Sequence, residues 1–140
     1  MKNMVKSAVS IVLVLVFVFA IASCGVARTG LWENAKYNED KTFGSGAKTV
    51  VVEVKAGEDM VTFTVKTDKT TVGAALIEHD LIAGEDGAYG LYVKVVNGIT
   101  ADYDVDQSYW AFYIDGEYAM AGVDATEITE GAVYRLEYAK

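Results

Sequence analysis

The sequence predicts an α+β domain, one helix packed on a mixed sheet, from three observations. Residues 49–66 alternate apolar and polar on both sides of a glycine-containing turn, the period of two paired strands. Residues 71–80 switch to helical spacing, with Val72, Ala75, Leu76 and His79 on one face. Beyond residue 90 the alternation returns in short runs separated by Asn-Gly, Asp-Gly and Glu-Gly pairs.

Val50, Val52 and Val54 alternate with Val51, Glu53 and Lys55, giving one apolar face. Ala56-Gly57-Glu58-Asp59 reads as a turn, and Val61, Phe63 and Val65 return against Thr62, Thr64 and Lys66. The result is a leading β-hairpin. Thr70 or Thr71 can then cap a short helix through about Asp80. Gly73 in its first turn weakens the helix but lets the backbone approach a sheet. Leu81 and Ile82 follow, and Gly84-Glu85-Asp86-Gly87 reads as the end of the unit.

The second half reads as further strands and a hairpin. Leu91 to Val96 is a strand ending at Asn97-Gly98, and Asp102 to Ser108 is an acidic loop. The aromatic strand Tyr109-Trp110-Ala111-Phe112-Tyr113-Ile114 comes next. Strict alternation puts Trp110, Phe112 and Ile114 on one side, Tyr109, Ala111 and Tyr113 on the other. Asp115-Gly116 supplies the left-handed pair of a tight hairpin into a short strand at Glu117–Met120. Gly122 to Thr129 connects, Glu130-Gly131 turns, and residues 132–138 form the last strand. Hairpin, helix, then more strands is the order of a β-grasp-like arrangement, with a right-handed crossover through the helix. The chain holds no proline, so no position is barred from the sheet on that ground.

Upstream, Lys2 and Lys6 precede an apolar run from Ala8 to Ala22, a signal-peptide length rather than a spanning helix. Ile21-Ala22-Ser23-Cys24-Gly25 has the form of a lipobox, and Cys24 is the single cysteine, at the required offset. The alternative is an ordinary secretory cleavage site with a cysteine nearby. The expected organisation is a signal peptide over 1–23, Cys24 as lipid acceptor, a tether over 24–48, and a domain over 49–140. The tether carries Leu31, Trp32, Tyr37 and Phe43, more large apolar residues than a plain linker holds. It is expected to start free near the membrane and then lie partly along the domain, unless its aromatics sit at headgroup level.

Loss of Lys2 and Lys6 takes the net charge from -8 to -10. That sign argues against nucleic acid and anionic bilayers as partners, so acyl chains, not surface charge, would hold the protein to a membrane. Enzyme chemistry finds little footing. There is one histidine, the lone thiol is expected to be acylated, and no glycine loop has phosphate-cradle spacing.

His79 could ligate a metal through a ring nitrogen or close the helix C-terminus, the commoner role. Asp102, Asp104 and Asp106 have the spacing of the first ligands of a calcium loop. Gln107, however, stands where that loop turns on glycine, and Tyr113 where it needs a bidentate glutamate. A looser calcium site on the three aspartates is the weaker alternative to a solvated acidic loop. Tyr109, Trp110, Phe112, Tyr113, Tyr118 and Tyr92 are the candidate ligand contacts, because their rings give large area with a polar tip. For Trp110 and Phe112 the competing role is core.

Over residues 49–140 the chain resembles the bacterial transcobalamin-like C-terminal domain lipoproteins, relatives of the C-terminal domains of transcobalamin and intrinsic factor. The resemblance rests on Thr71-Val72-Gly73-Ala74-Ala75-Leu76, Tyr89-Gly90-Leu91-Tyr92, Val96-Asn97-Gly98, Tyr109-Trp110 with Phe112 and Gly116, Gly122-Val123, and Glu130-Gly131. Leu31-Trp32-Glu33-Asn34-Ala35 is similar to what precedes the domain in those lipoproteins. The resemblance implies a β-grasp-like fold and a corrinoid such as cobalamin near Tyr109, Trp110 and Phe112. The carriers' helical domain has no counterpart here, so a partner protein would complete the site. It also implies the outer face of a Gram-positive cell membrane. Sequence thus leads to a surface lipoprotein with a small-molecule-binding module. The alternative is a non-enzymatic protein-interaction or envelope-associated module with no small ligand.

Overall fold

The computed structural model describes residues 30–140. The expected signal peptide, the expected lipid acceptor Cys24 and the first part of the expected tether lie outside the described residues. Among those described, nine strands form two sheets. The six-stranded sheet has the order β1 (Lys41–Gly44), β3 (Asp59–Thr67), β2 (Lys48–Ala56), β9 (Val133–Ala139), β7 (Tyr109–Ile114), β8 (Glu117–Tyr118). The smaller sheet has the order β4 (Ile82–Gly87), β5 (Gly90–Val96), β6 (Ile99–Thr100). The main helix is α1 (Val72–Glu78), and α2 is a single turn at Tyr103–Asp106.

The leading hairpin pairs in register, Val50 with Val65, Val52 with Phe63 and Val54 with Val61. All six of these residues are buried, as one apolar face demands. The last strand pairs parallel to the first strand of that hairpin, Val52 opposite Tyr134 and Val54 opposite Leu136. These two strands occupy the middle of the sheet, as a β-grasp-like α+β domain requires. Thr71 caps α1, its hydroxyl accepting from Ala74 N–H at 3.2 Å. Val72, Ala75 and Leu76 then face the sheet, fully buried.

Three strands were not read from alternation: β1, β4 and the two-residue β6, which pairs with β5 across the Asn97-Gly98 turn. β4 takes residues 82–87, expected as the end of the helical unit, into a pairing with β5. Its side chains after Ile82 are exposed, so only backbone hydrogen bonds define it. A bulge falls between Ala83 and Gly84, where a Cβ on Gly84 would stand 1.9 Å from the Tyr92 carbonyl oxygen. β1, inside the expected tether, pairs parallel with β3, Phe43 opposite Val65. The preceding segment is also laid on the domain. Trp32, in a 3-10 turn at Gly30–Asn34, is 2% exposed and donates its Nε1–H to the Ala56 carbonyl at 2.9 Å. Tyr37, Phe43 and Phe63 form an edge-to-face cluster with centroids 5.2–5.9 Å apart.

Six strands span about 24 Å across, whereas a helix with its side chains is about 10 Å wide. A seven-residue helix therefore covers only part of the inner face. The rest is covered by the smaller sheet and by residues 119–125, and the site lies where these two meet.

Candidate functional site

β7 supplies the floor. Its register sets Trp110 opposite Tyr138 and Phe112 opposite Leu136. The Trp110 ring meets Tyr138 edge-on at 5.8 Å, and Phe112 stacks on Tyr134 at 6.0 Å. Trp110 and Phe112 are each 8% exposed, so the core role applies to both. Yet both also line an open cleft of about 590 Å³. Leu136 completes the floor. Leu91, Tyr92 and Val93 of β5 form one wall, and residues 119–123 the other. The rim is exposed and apolar, with Met120 and Tyr89 almost wholly open to solvent and Tyr118, Tyr92 and Tyr109 partly so.

Tyr92, Tyr109, Trp110, Phe112 and Tyr118 thus come together on one cleft. Tyr113 does not line the cleft. It lies half-buried against Tyr118, its cross-strand partner, with centroids 5.6 Å apart and rings nearly perpendicular. Tyr113 shares its alternation face with Tyr109, which does line the cleft, so alternation alone does not decide which ring reaches it. Sequence reasoning missed Leu91, Met120 and the wall from Ala119 to Val123. Loop residues acquire their place from the crossing of elements, and only Tyr89, Leu91, Gly122 and Val123 carried a signal, in the family motifs.

No lining residue is charged. The cleft can hold a flat or apolar surface by stacking and area burial, with phenol hydroxyls at the margin for polar edges. The Nε1–H of Trp110 has no hydrogen-bond partner among the described residues.

The acidic loop is built differently. Asp102 caps α2, accepting from Asp104 N–H at 3.1 Å. Asp106 accepts from both the backbone N–H, at 3.1 Å, and the hydroxyl of Ser108. Those Ser108 bonds, with Lys140 adding charge, hold the Asp106 carboxyl below the usual carboxylate range. Lys94 sits between Glu85 at 3.3 Å and Asp102 at 3.7 Å. The Glu85 bond chiefly raises its pKa against partial desolvation, and the Asp102 and Asp104 charges add to the rise. Among the described residues no three His, Cys, Asp or Glu side chains are grouped to hold a metal ion. His79 stands at the C-cap of α1, its ring 5.7 Å from that of Phe43.

Fold and site together define a β-grasp-like domain carrying an uncharged, aromatic-floored cleft. The family described as Domain of unknown function (DUF4430) matches residues 69–140, more than half of the sequence, and the chain belongs to that family. It is also similar to the crystal structure of a Ruminococcus gnavus protein suggested to bind metal. The identity is 30% over 67% of this chain and 98% of that one, with a TM-score of 0.63. Haptocorrin in complex with Cbi is similar at 19% identity and a TM-score of 0.48, over 70% of this chain and 26% of haptocorrin. No curated protein matches the chain.

Proposed function

We propose that the protein is a lipid-anchored, extracytoplasmic binding module of a Gram-positive envelope whose cleft takes the flat face of a small molecule, with a corrinoid such as cobalamin as the ligand. The observation that carries this reading is the convergence of Trp110, Phe112, Tyr92, Tyr109 and Tyr118 on one open cleft. A cleft of about 590 Å³ is within the size range of small-molecule sites. Being open, it covers one side of a ligand, and an envelope protein would cover the other. The anchor reading rests on Cys24 at the end of its lipobox. The role is binding, not catalysis: the cleft offers rings and methyl groups, with no general base or nucleophile pair among its lining residues.

The test is a titration of the full chain in detergent with cyanocobalamin, read by tryptophan emission and melting temperature. Quenching that vanishes in Trp110→Phe, with a melting point that rises with ligand, supports the proposal. Unchanged emission and melting at high micromolar ligand remove the corrinoid. A second reading, a protein-interaction surface, is favoured by the full exposure of Met120 and Tyr89 on the rim. It predicts a partner retained by the lipidated protein that Met120→Glu releases.

A further inference from the structure

Three glycines crowd Asp124: Gly73 of α1 against its backbone, and Gly90 and Gly122 against its carboxylate. A Cβ on Gly73 of α1 would lie 2.9 Å from the Asp124 Cα and N. One on Gly90, where φ is +104°, would lie 2.7 Å from the Asp124 Oδ2. One on Gly122 would lie 3.3 Å from Oδ1. In the space so kept, Oδ2 accepts from the Leu91 N–H at 2.9 Å.

That bond joins the two sides of the cleft. Leu91 belongs to the β5 wall, and Asp124 stands between Val123 and Ala125, which line the opposite side. The Asp124 side is itself fixed to α1, since Val72 N–H donates to the Thr126 carbonyl at 2.9 Å and Thr71 bridges Glu127. The β5 wall is tied to α1 only at its far end, where Leu81 N–H donates to the Leu76 carbonyl at 3.0 Å and Asn97 N–H to the Leu81 carbonyl at 2.8 Å. The carboxylate is therefore a strut from the helix-anchored loop to the Leu91 end of the smaller sheet, across the cleft floored by Trp110 and Phe112. A slot of fixed width favours a flat ligand over a bulky one, because stacking contacts are lost steeply as a gap opens.

We propose that Asp124 is a positioning residue that fixes the width of the cleft and so selects for flat ligands. This rests on the cleft being a ligand site, but the strut can be tested without any ligand. NMR hydrogen exchange on the full chain in detergent resolves the Leu91 amide and the Trp110 indole N–H. The strut predicts a protected Leu91 amide in the wild type. Asp124→Ala should speed exchange at both positions about tenfold, and Asp124→Asn, which keeps a carbonyl acceptor, should stay within about threefold of wild type. Cyanocobalamin affinity should fall about fivefold in Asp124→Ala and hold in Asp124→Asn. A Leu91 amide that exchanges like an open turn in the wild type overturns the proposal. So does a Trp110 indole unaffected by Asp124→Ala, or an Asp124→Asn protein that behaves as the alanine variant. If Asp124→Ala does not fold, the wild-type and Asp124→Asn exchange rates decide alone. If wild type ignores cyanocobalamin while the exchange pattern holds, the corrinoid reading fails and the strut stands.

Discussion

Asn97 grips both backbone polar groups of Tyr37, sixty positions upstream. Its Oδ1 accepts from the Tyr37 N–H at 3.0 Å, and its Nδ2 donates to the Tyr37 carbonyl at 2.8 Å. Asn97 is completely buried and holds a left-handed φ of 52°. One residue therefore makes the turn into β6 and fastens the segment before β1. Asn97→Ala should cost ~3 kcal/mol in a urea melt, from two lost hydrogen bonds plus the left-handed penalty on alanine. Asn97→Gly, free of that penalty, should cost ~1 kcal/mol less. A loss below ~1 kcal/mol in Asn97→Ala would show that the upstream segment is not held by this side chain.

Tyr134 offers a cleaner deletion. Its ring is fully buried in the middle of the sheet, and its hydroxyl accepts from the Thr129 N–H at 2.9 Å. Tyr134→Phe keeps the ring and its stack on Phe112 but leaves that amide without its acceptor. A loss of ~1–2 kcal/mol is expected, seen by thermal denaturation. Tyr134 does not line the cleft, so Trp110 emission should not change.

How far the sequence could be read follows from which strands bury a face. In β2 and β3 alternate residues enter the core, so valine spacing alone located the hairpin and its register. In β4 nothing after Ile82 is buried, and Gly84 and Gly87 carry no side-chain pattern. Pairing there is a backbone event, silent in composition. The same contrast runs through the site. Alternation placed Trp110 and Phe112 together on one face. The wall from Ala119 to Val123 has no period, and arises because a short helix leaves part of a wide sheet uncovered. Asp124 gave no sign, since its meaning depends on Gly73, Gly90 and Gly122 meeting in space.

Acid should weaken the α2 corner through Asp106. Its folded pKa is depressed, so the stability it contributes is present above the unfolded carboxyl value and is lost as pH falls through the folded value. The window therefore opens near the ordinary carboxyl value of 3.8 and extends downward. Ser108→Ala removes the main cause of the depression. Chemical denaturation between about pH 2 and pH 5 should show a shallower acid slope in Ser108→Ala than in wild type. Parallel slopes would mean that the Ser108 bonds do not set the Asp106 pKa.

Trp110 separates stability from recognition. Replacing it with phenylalanine removes a buried indole N–H that has no partner among the described residues, a gain of ~1 kcal/mol or more. It also removes ring area from the core, a loss of ~1–2 kcal/mol. The two nearly cancel, so the unfolding free energy of Trp110→Phe should lie within ~1 kcal/mol of wild type. Phe112→Ala has no such offset and should cost ~3 kcal/mol or more. If the indole instead stabilises the fold as phenylalanine cannot, Trp110→Phe will be as damaging as Phe112→Ala. The tryptophan would then serve the core rather than the cleft above it.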